Sequence, residues 1–332
     1  LKHDLFTSGI HYLRFYFDLT ALPEELLPYA KLLTDLYSRM DTQQYSFRDL
    51  STQLDLKLGG FGAGIQDVGF VSNPKEFRAL FYFEIKVLDG KFAEGLDLLK
   101  EILLNTKFSD QARLKEVFEE LKLNLRNDIA SSGDDYAEQR SLSYFSRRGV
   151  FGELVKGISF FKFVSKQQSS LEGASVELAK AAKLLLNRNN LSIGWTANKS
   201  DIVKQTPVLE HWLAQFPSTT FQPNKWKLPS TPTHNEAFIM PLKVNFVAQS
   251  SDVLTMGSQF SGHWIVLNNI LSKDFLWNRI RVQAGAYGAH ANMSRDGLFV
   301  TTTYRDPNIQ ASFEAFKQIP SYVAGLKLDE RE

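Results

Sequence analysis

The sequence contains no cysteine. This excludes disulfide bonds and thiolate metal sites, and it fits a reducing compartment, so we expect a cytoplasmic protein. No apolar run reaches the ~18 residues of a membrane-spanning helix, and the N-terminus lacks the charged-then-apolar pattern of a signal peptide. The formal net charge is only +1. Because no bulk charge favours nucleic acid or an anionic membrane, we expect neither as a partner.

Metal-binding and nucleophile motifs are also missing. None of the six histidines begins an H-E-x-x-H or H-x-x-E-H motif. They are His3, His11, His211, His234, His263 and His290. There is also no G-x-S-x-G, Walker or Rossmann motif. The sequence therefore predicts no metal site and no catalytic residue in this chain.

The stretch from residue 279 to residue 290 combines cationic, phenolic and small side chains. It contains Arg281, Gly285, Tyr287 and Gly288, and it ends at His290. Glycines allow a backbone or a ligand to approach closely. A guanidinium and a phenol can donate hydrogen bonds to carbonyl or carboxylate oxygens. Taken alone, however, the stretch is more commonly a glycine-rich strand entry with solvated charges, and a packed or surface role is the commoner one for His290.

A second copy of this pattern indicates an internal duplication. Residues 59–63, Gly-Gly-Phe-Gly-Ala, resemble residues 285–289, Gly-Ala-Tyr-Gly-Ala. Each copy follows an apolar strand and helical sequence, and each precedes a strand, a turn, another strand and a helix. We therefore predict two similar modules, at residues 1–199 and 234–332, joined by a connector at 200–233 that has only a short helical piece near 208–216. The second module lacks the later helix and strand of the first, so we expect it to be truncated.

Hydrophobic periodicity predicts the fold of each module. Residues 10–19 and 77–87 alternate as half-buried strands, and residues 237–248 show a similar alternation. Residues 91–105, 109–129 and 258–281 have helical periodicity, the last with Trp264 and Trp277 as core residues. A sheet with one apolar face needs a layer of helices over it. We therefore predict an α+β, two-layer fold: two homologous domains, each a mostly antiparallel sheet with helices packed on one face.

The residues that carry the duplication also resemble a known family. Residues 281–288, Arg-Val-Gln-Ala-Gly-Ala-Tyr-Gly, the hairpin after them and residues 304–308, Tyr-Arg-Asp-Pro-Asn, resemble the C-terminal half of pitrilysin/insulinase-type zinc metallopeptidases, in the presequence-protease-like branch. The opening strand with the helix start after it, and residues 59–62, agree with this. The resemblance spans almost the whole chain, although the family's last domain continues well beyond residue 332.

The resemblance implies that the two halves of one polypeptide have different roles. The N-terminal half is the partner that binds zinc through the inverted motif, and the two halves enclose peptide substrates. This half binds no cofactor itself and contributes an arginine and a tyrosine to the active site, which map onto Arg281 and Tyr287. From the residues themselves we expect Gly285 and Gly288 to complete the substrate-binding site, because glycines leave room for the substrate backbone to lie against this strand. Phe61, the counterpart of Tyr287 in the first module, lacks the hydroxyl.

Two alternatives stay open at this point. One is a non-catalytic scaffold or peptide-binding subunit of the same fold. The other is an unrelated α/β ligand-binding protein, for which the repeat would be coincidental. An H-x-x-E-H motif upstream in the full gene product would favour the peptidase over the scaffold.

Overall fold

The structure is a computed structural model that describes residues 1–167, 170–220, 222–232, 235–257 and 260–327. His234, the predicted helix start at residue 258 and the boundary at 233–234 lie outside these residues. The strands are β1 (Lys2–Asp4), β2 (Ile10–Asp18), β3 (Gly60–Gly69), β4 (Phe77–Leu88), β5 (Leu191–Ala197), β6 (Asn245–Asp252), β7 (Gly288–Met293) and β8 (Leu298–Asp306).

Helices connect these strands. The α-helices are α1 (Leu27–Leu36), α2 (Phe47–Lys57), α3 (Phe92–Asn105), α4 (Gln111–Ser131), α5 (Gly133–Leu142), α6 (Arg147–Val155), α7 (Ile158–Gln167), α8 (Leu171–Leu185), α9 (Lys199–Ala214), α10 (Gly262–Ile270) and α11 (Ile309–Gly325). Short 3-10 turns span Leu19–Ala21, Glu24–Leu26, Asp89–Lys91 and Arg188–Asn190. After α10 the helix continues with π-type hydrogen bonding through Leu271–Phe275 and Trp277–Val282. Among the described residues, no helix is long and apolar enough to cross a membrane.

The chain forms two compact units, each built from separated segments. Unit 1 comprises Leu1–Val68, Arg78–Leu123 and Phe160–Lys227. Unit 2 comprises Gly69–Phe77, Asn124–Ser159 and Leu228–Glu332. The division predicted from the sequence, 1–199 and 234–332 with a connector between them, stays a prediction.

Unit 1 contains a mixed sheet in the order β1-β5-β2-β4-β3. β2 is antiparallel to both β4 and β5, and β1 is parallel to β5. Phe15 and Phe83 are fully buried on one face of the sheet, as the alternation predicts. Phe15 packs against Trp212 of α9 at 5.2 Å between ring centroids, and Phe83 packs against Tyr37 at the end of α1 at the same separation. Helices therefore cover this face.

Unit 2 repeats the strand arrangement of unit 1. Its described strands lie in the order β6-β8-β7, which corresponds to β2-β4-β3. Phe61 is the second residue of β3, and Tyr287 immediately precedes β7. The two residues thus stand at equivalent strand entries, as the predicted duplication requires. The α+β class with homologous, largely antiparallel modules is confirmed.

Helices lie on both faces of the unit 2 sheet. On one face Val247 belongs to a buried cluster with Phe275, Phe316 and Ile319. Because side chains alternate along a strand, Phe246 and Ser250 point to the other face. There α5 covers them: a Cβ on Gly133 would overlap the Phe246 ring, and Ser141 Oγ lies 2.6 Å from Ser250 Oγ. The helix layer we predicted is present, and α5 is an additional cover.

The length predicted for the helix in the connector was wrong. The chain is helical over all of α9, not only near residues 208–216. Pro207 lies inside the helix, where it removes a hydrogen-bond donor. Burial of Ile202, Leu209 and Trp212 offsets this loss, and Trp212 Nε1 donates to the Leu96 carbonyl at 2.6 Å. The helix is therefore anchored in unit 1.

Two predicted elements of the second module differ from the structure: the strand in its extent and the helix in its hydrogen bonding. The strand predicted at 237–248 begins at Asn245 because Asn245 pairs with Asp306, the last residue of β8, and earlier residues have no partner in β8. The helix predicted up to residue 281 becomes π-helical after Ile270. A π-type turn changes the helical phase, so Trp277 is 42% exposed instead of lying in the core. Trp264 is partly buried, 6.0 Å from the Phe299 ring.

Candidate functional site

Gly285 turns the chain from the π-helical segment Trp277–Val282 into β7. Its φ is +86°, a left-handed conformation that glycine adopts without steric cost. The Gly285 amide donates to the Arg281 carbonyl at 3.2 Å, and the Ala286 amide donates to the Ile280 carbonyl at 3.1 Å. These bonds close the helix end. Gly285 therefore sets the direction in which the following residues leave the helix.

Arg281 is held against that strand entry by two contacts. Its Nη1 donates a hydrogen bond to the backbone carbonyl of Tyr287. The guanidinium also lies 4.5 Å from the centroid of the Trp277 ring, one turn earlier. This is a cation–π contact, which a planar guanidinium makes well. The structure thus places the Arg281 guanidinium against the backbone of Tyr287, the other residue that the sequence singled out.

Tyr287 projects into solvent. Its side chain is 63% exposed, while its amide donates to the Tyr304 carbonyl at 3.0 Å. Within the described parts of the chain, no group forms a hydrogen bond with its hydroxyl. Phe61, at the equivalent position of unit 1, lies 6.3 Å from the buried Phe83 ring. The same position is therefore part of the core side in one unit and is accessible in the other.

Gly288 is buried, but no special conformation requires a glycine there. A Cβ at Gly288 would lie 3.6 Å from His290 Nε2 and 3.7 Å from Tyr304 Cβ, which is ordinary contact. Because residues two apart share a face, Gly288 and His290 lie on the same face of β7. Of the two glycines that the sequence proposed for substrate binding, Gly285 is conformationally required and Gly288 is not.

Helix α5 brings a carboxylate to this region, which the sequence did not indicate. Burial raises the pKa of Asp134, backbone hydrogen bonds at Asp134 and Asp135 lower it, and the neighbouring Asp135 carboxylate raises it; an electrostatic interaction with His290 is the smallest of these contributions. Burial likewise raises the pKa of Glu138, with Asp135 and Asp134 adding to the shift. Asp134 and His290 lie far apart in the sequence, so no local pattern could have linked the two.

Asp306 anchors the turn after β8, a role that residue type and spacing did not reveal. It is fully buried. Its Oδ2 accepts from Thr303 Oγ1 at 3.0 Å and Ser312 Oγ at 2.6 Å, and its Oδ1 accepts from the Asn308 amide at 2.7 Å. Asn308 in turn caps α11 by accepting from the Ala311 amide at 3.2 Å. Such a set of bonds fixes the backbone around Arg305, whose guanidinium lies 5.9 Å from the Tyr287 ring centroid.

The open edge of β7 is blocked by a side chain. Ser272 Oγ accepts from the Ala291 amide at 2.9 Å and donates to the Ala291 carbonyl at 3.3 Å. Both groups face away from β8. An added peptide strand cannot bond to Ala291 while Ser272 occupies it. The backbone groups of Ala291 are therefore not free for the close approach of another backbone that the glycines led us to expect along this strand.

The described residues do not fit a zinc ion. Among them, no group of three or more histidine, aspartate or glutamate side chains could hold a metal ion, and the sequence contains no cysteine. Structural and catalytic zinc sites use about three or four such protein ligands.

A shallow pocket of about 590 Å³ lies on the exposed face of the unit 1 sheet. Its lining includes Tyr12, Arg14, Glu84 and Lys86. Arg14 forms an ion pair with Glu84, and its guanidinium lies 5.0 Å from the Tyr82 ring centroid. This pocket belongs to unit 1, whereas Arg281 and Tyr287 belong to unit 2.

Comparison with known proteins places the chain in a family. The model of the family described as associated with peptidase M16, subfamily C, matches residues 1–166, and the model described as "PreP C-terminal domain" matches residues 235–332. The chain belongs to the family associated with peptidase M16, subfamily C. It corresponds to the C-terminal half of a pitrilysin-like peptidase, which confirms the resemblance seen in the sequence.

Curated relatives of this peptidase-family chain cover its full length. It is 29% identical over 334 residues to "Protein HypA" of Clostridium perfringens. The aligned region covers 100% of this chain and 34% of that protein. It is 27% identical over 335 residues to "Presequence protease 1, chloroplastic/mitochondrial" of Arabidopsis thaliana, covering 99% of this chain and 31% of that protein. The chain thus spans about a third of the length of these relatives.

Solved structures share the fold of the chain. A conserved protein from Enterococcus faecalis superposes with a TM-score of 0.66 at 16% identity, covering 99% of this chain and 78% of that one. The "peptidase M16 inactive domain" from Pseudomonas fluorescens superposes with a TM-score of 0.59 at 13% identity, covering 99% and 77%. At these identities the likeness concerns the fold alone.

Proposed function

We propose that this chain is the non-zinc C-terminal half of an insulinase-type zinc metalloendopeptidase. The N-terminal half of the same polypeptide is its partner, binds the zinc and encloses peptide substrates together with this half. The observation that carries the proposal is the pairing of Arg281 with Tyr287 at an exposed strand entry, within a chain of this family. The cytoplasm stays our prediction for its location.

Zinc in the partner half would polarise a peptide carbonyl and activate water. The residues of this chain supply something different. The Tyr287 hydroxyl is accessible and forms no hydrogen bond with the described residues, so it can donate to the scissile carbonyl oxygen as negative charge develops there. Donors aimed at that charge in advance lower the barrier most. A phenol does so without carrying a permanent charge.

Arg281 has two roles in this proposal. One arm of its guanidinium holds the Tyr287 carbonyl, which fixes the backbone that presents the phenol. The guanidinium has five N–H donors, so others remain for a neighbouring carbonyl of the peptide. Gly285 keeps the turn compact, so that the substrate backbone can approach. By this proposal the chain on its own hydrolyses nothing.

The test is the Tyr287→Phe variant of the full-length protein. Loss of one oxyanion donor should lower turnover of a fluorogenic peptide by roughly 10²–10³-fold. Zinc content and thermal melting should match the parent protein. Arg281→Lys keeps the charge but loses the planar fork, so it should also impair turnover.

Tyr12→Phe is the matched control, because it removes the hydroxyl of an exposed tyrosine in unit 1. Near-parental turnover in a folded, zinc-loaded Tyr287→Phe protein would exclude the proposed role. A full-length protein with no peptidase activity at all would favour the non-catalytic, peptide-binding alternative.

A further inference from the structure

Arg305 adopts a backbone conformation that arginine rarely takes. Its φ is +48°, in the left-handed region where the Cβ atom of L-residues is crowded. The neighbouring Asp306 holds it there through its buried carboxylate, and the Asn245 side chain donates to the Asp306 carbonyl at 2.9 Å. Strained residues that their surroundings over-determine cluster at ligand sites. The strain at Arg305 therefore calls for a functional explanation.

The guanidinium of Arg305 lies beside two tyrosine rings. It is 5.9 Å from the ring centroid of Tyr287 and 5.4 Å from that of Tyr304. Both distances fall within the range of cation–π contact. The rings restrain the planar group, while the residue as a whole remains exposed. Arg305 thus lies beside the exposed side chain of Tyr287.

This guanidinium has no carboxylate partner among the residues that the structure describes. Other arginines of the chain do: Arg14 pairs with Glu84, and Arg140 binds Glu236 through Nε and Nη2 at 2.6 and 2.9 Å. Arg281, the second arginine at Tyr287, likewise pairs with no described carboxylate. One guanidinium therefore lies beside the Tyr287 ring and the other lies on the Tyr287 backbone carbonyl, and neither is paired with a described carboxylate.

We propose that Arg305 is a specificity-determining residue that binds a carboxylate of the peptide substrate next to Tyr287. The guanidinium fork matches a carboxylate through two parallel hydrogen bonds, whereas a peptide carbonyl offers a single oxygen. The carboxylate belongs either to an acidic side chain near the cleaved bond or to the C-terminus of a short peptide. This inference rests on the proposed peptidase function.

Arg305→Asn is the decisive variant, because asparagine tolerates the left-handed backbone and removes the charge. The full-length protein is assayed on matched peptides that carry Glu or Gln at single positions on either side of the cleaved bond. A second set has free or amidated C-termini. These two sets separate the two sources of the carboxylate.

In the parent protein one carboxylate peptide should be cleaved with a kcat/KM roughly 10–100-fold above its neutral match. Arg305→Asn should remove this preference and leave the neutral peptide nearly unchanged. Arg305→Lys should retain part of the preference. Arg279→Gln, which removes an exposed arginine of the same π-helical segment as Arg281, is the charge control and should leave the preference intact.

If Arg305→Asn lowers kcat/KM equally for charged and neutral peptides, the proposal is overturned, since Arg305 would then act on Tyr287 or on the fold. The proposal is also overturned if Arg305→Asn leaves kcat/KM unchanged for both peptides. If the full-length protein cleaves no peptide, the peptidase function fails, and fluorescence anisotropy with the same labelled peptides decides about Arg305. Tighter binding of the carboxylate peptide by the parent but not by Arg305→Asn supports the site, and equal binding refutes it.

Discussion

At the scale of single residues, unit 1 concentrates hydrogen bonds on Asp89. Its Oδ2 accepts from Lys204 at 2.6 Å, and its Oδ1 accepts from Gln205 at 2.7 Å and from His11 Nε2 at 3.1 Å. Trp195 Nε1 donates to the other nitrogen of His11 at 3.1 Å, so Nε2 must carry the hydrogen. The bonds from Lys204, Gln205 and His11 lower the pKa of Asp89 to about 2.

This lowered pKa predicts a specific loss of stability in acid. The unfolded carboxyl titrates near its ordinary value of 3.8. Stability from the ionised Asp89 is therefore fully present above that pH and is lost as the pH falls towards about 2. Asp89→Asn should lower the free energy of unfolding at pH 7 by about 1–3 kcal/mol. Below pH 4 the free energy of unfolding of this variant should fall less steeply than that of the parent protein.

Urea unfolding at pH 7, 4, 3 and 2 measures this effect. Asp55→Asn, an exposed position on α2, is the control and should keep the parental pH dependence. An Asp89→Asn protein whose unfolding midpoints still follow the parental curve would show that Asp89 is not the group responsible.

The sequence identified the site only where its residues are close along the chain. Arg281, Gly285 and Tyr287 lie within one short stretch, so residue type and spacing could single them out. Arg305 and Asp306 were part of a recognised motif, but nothing local indicated that a buried carboxylate would restrain the arginine beside Tyr287. The partners of that carboxylate, Thr303 and Ser312, are close to it along the chain, but residue type and spacing do not reveal which way these side chains point.

At the scale of elements, Ser272 protects the edge of β7. Because Ala291 is only 6% exposed, water does not readily replace the serine hydroxyl there. Ser272→Ala leaves a buried amide and carbonyl without partners and should lower stability by about 1–3 kcal/mol. Hydrogen exchange at the Ala291 amide should become faster.

Exchange measured by NMR, together with urea unfolding, checks this prediction. Asn269→Ala, an exposed change on α10, is the matched control. Unchanged protection of Ala291 in the Ser272→Ala protein would mean that another group closes the edge.

Elements were predictable where periodicity and pairing agree. β2 and β4 alternate along their whole length, and each is paired and covered, so their boundaries could be anticipated. For β6 the alternation extended further than its partner strand, and a sequence pattern does not reveal where a partner ends. The π-helical turns after α10 were not predictable either, because their hydrogen bonding differs from the α-helix without a change of composition.

At the scale of the whole molecule, the division between halves predicts how the isolated chain behaves. Expressed alone, it should bind no stoichiometric zinc and should cleave no peptide, because the proposed metal ligands belong to the N-terminal half. Elemental analysis after dialysis and a fluorogenic peptide assay measure the two properties. Mixing with the separately expressed N-terminal half is the informative control, since restored cleavage would show that the chain is competent. One tightly bound zinc per chain would contradict the assignment of this half.

Helix α5 has a consequence for the evolution of these proteins. It is encoded in the region that the peptidase-associated family model matches, yet it packs against β6 and β8, which the PreP C-terminal model covers. Recombination that exchanged one region without the other would expose Phe246 and leave Gly133 facing a foreign surface. We therefore expect substitutions at Gly133 and Phe246 to covary among relatives of this chain.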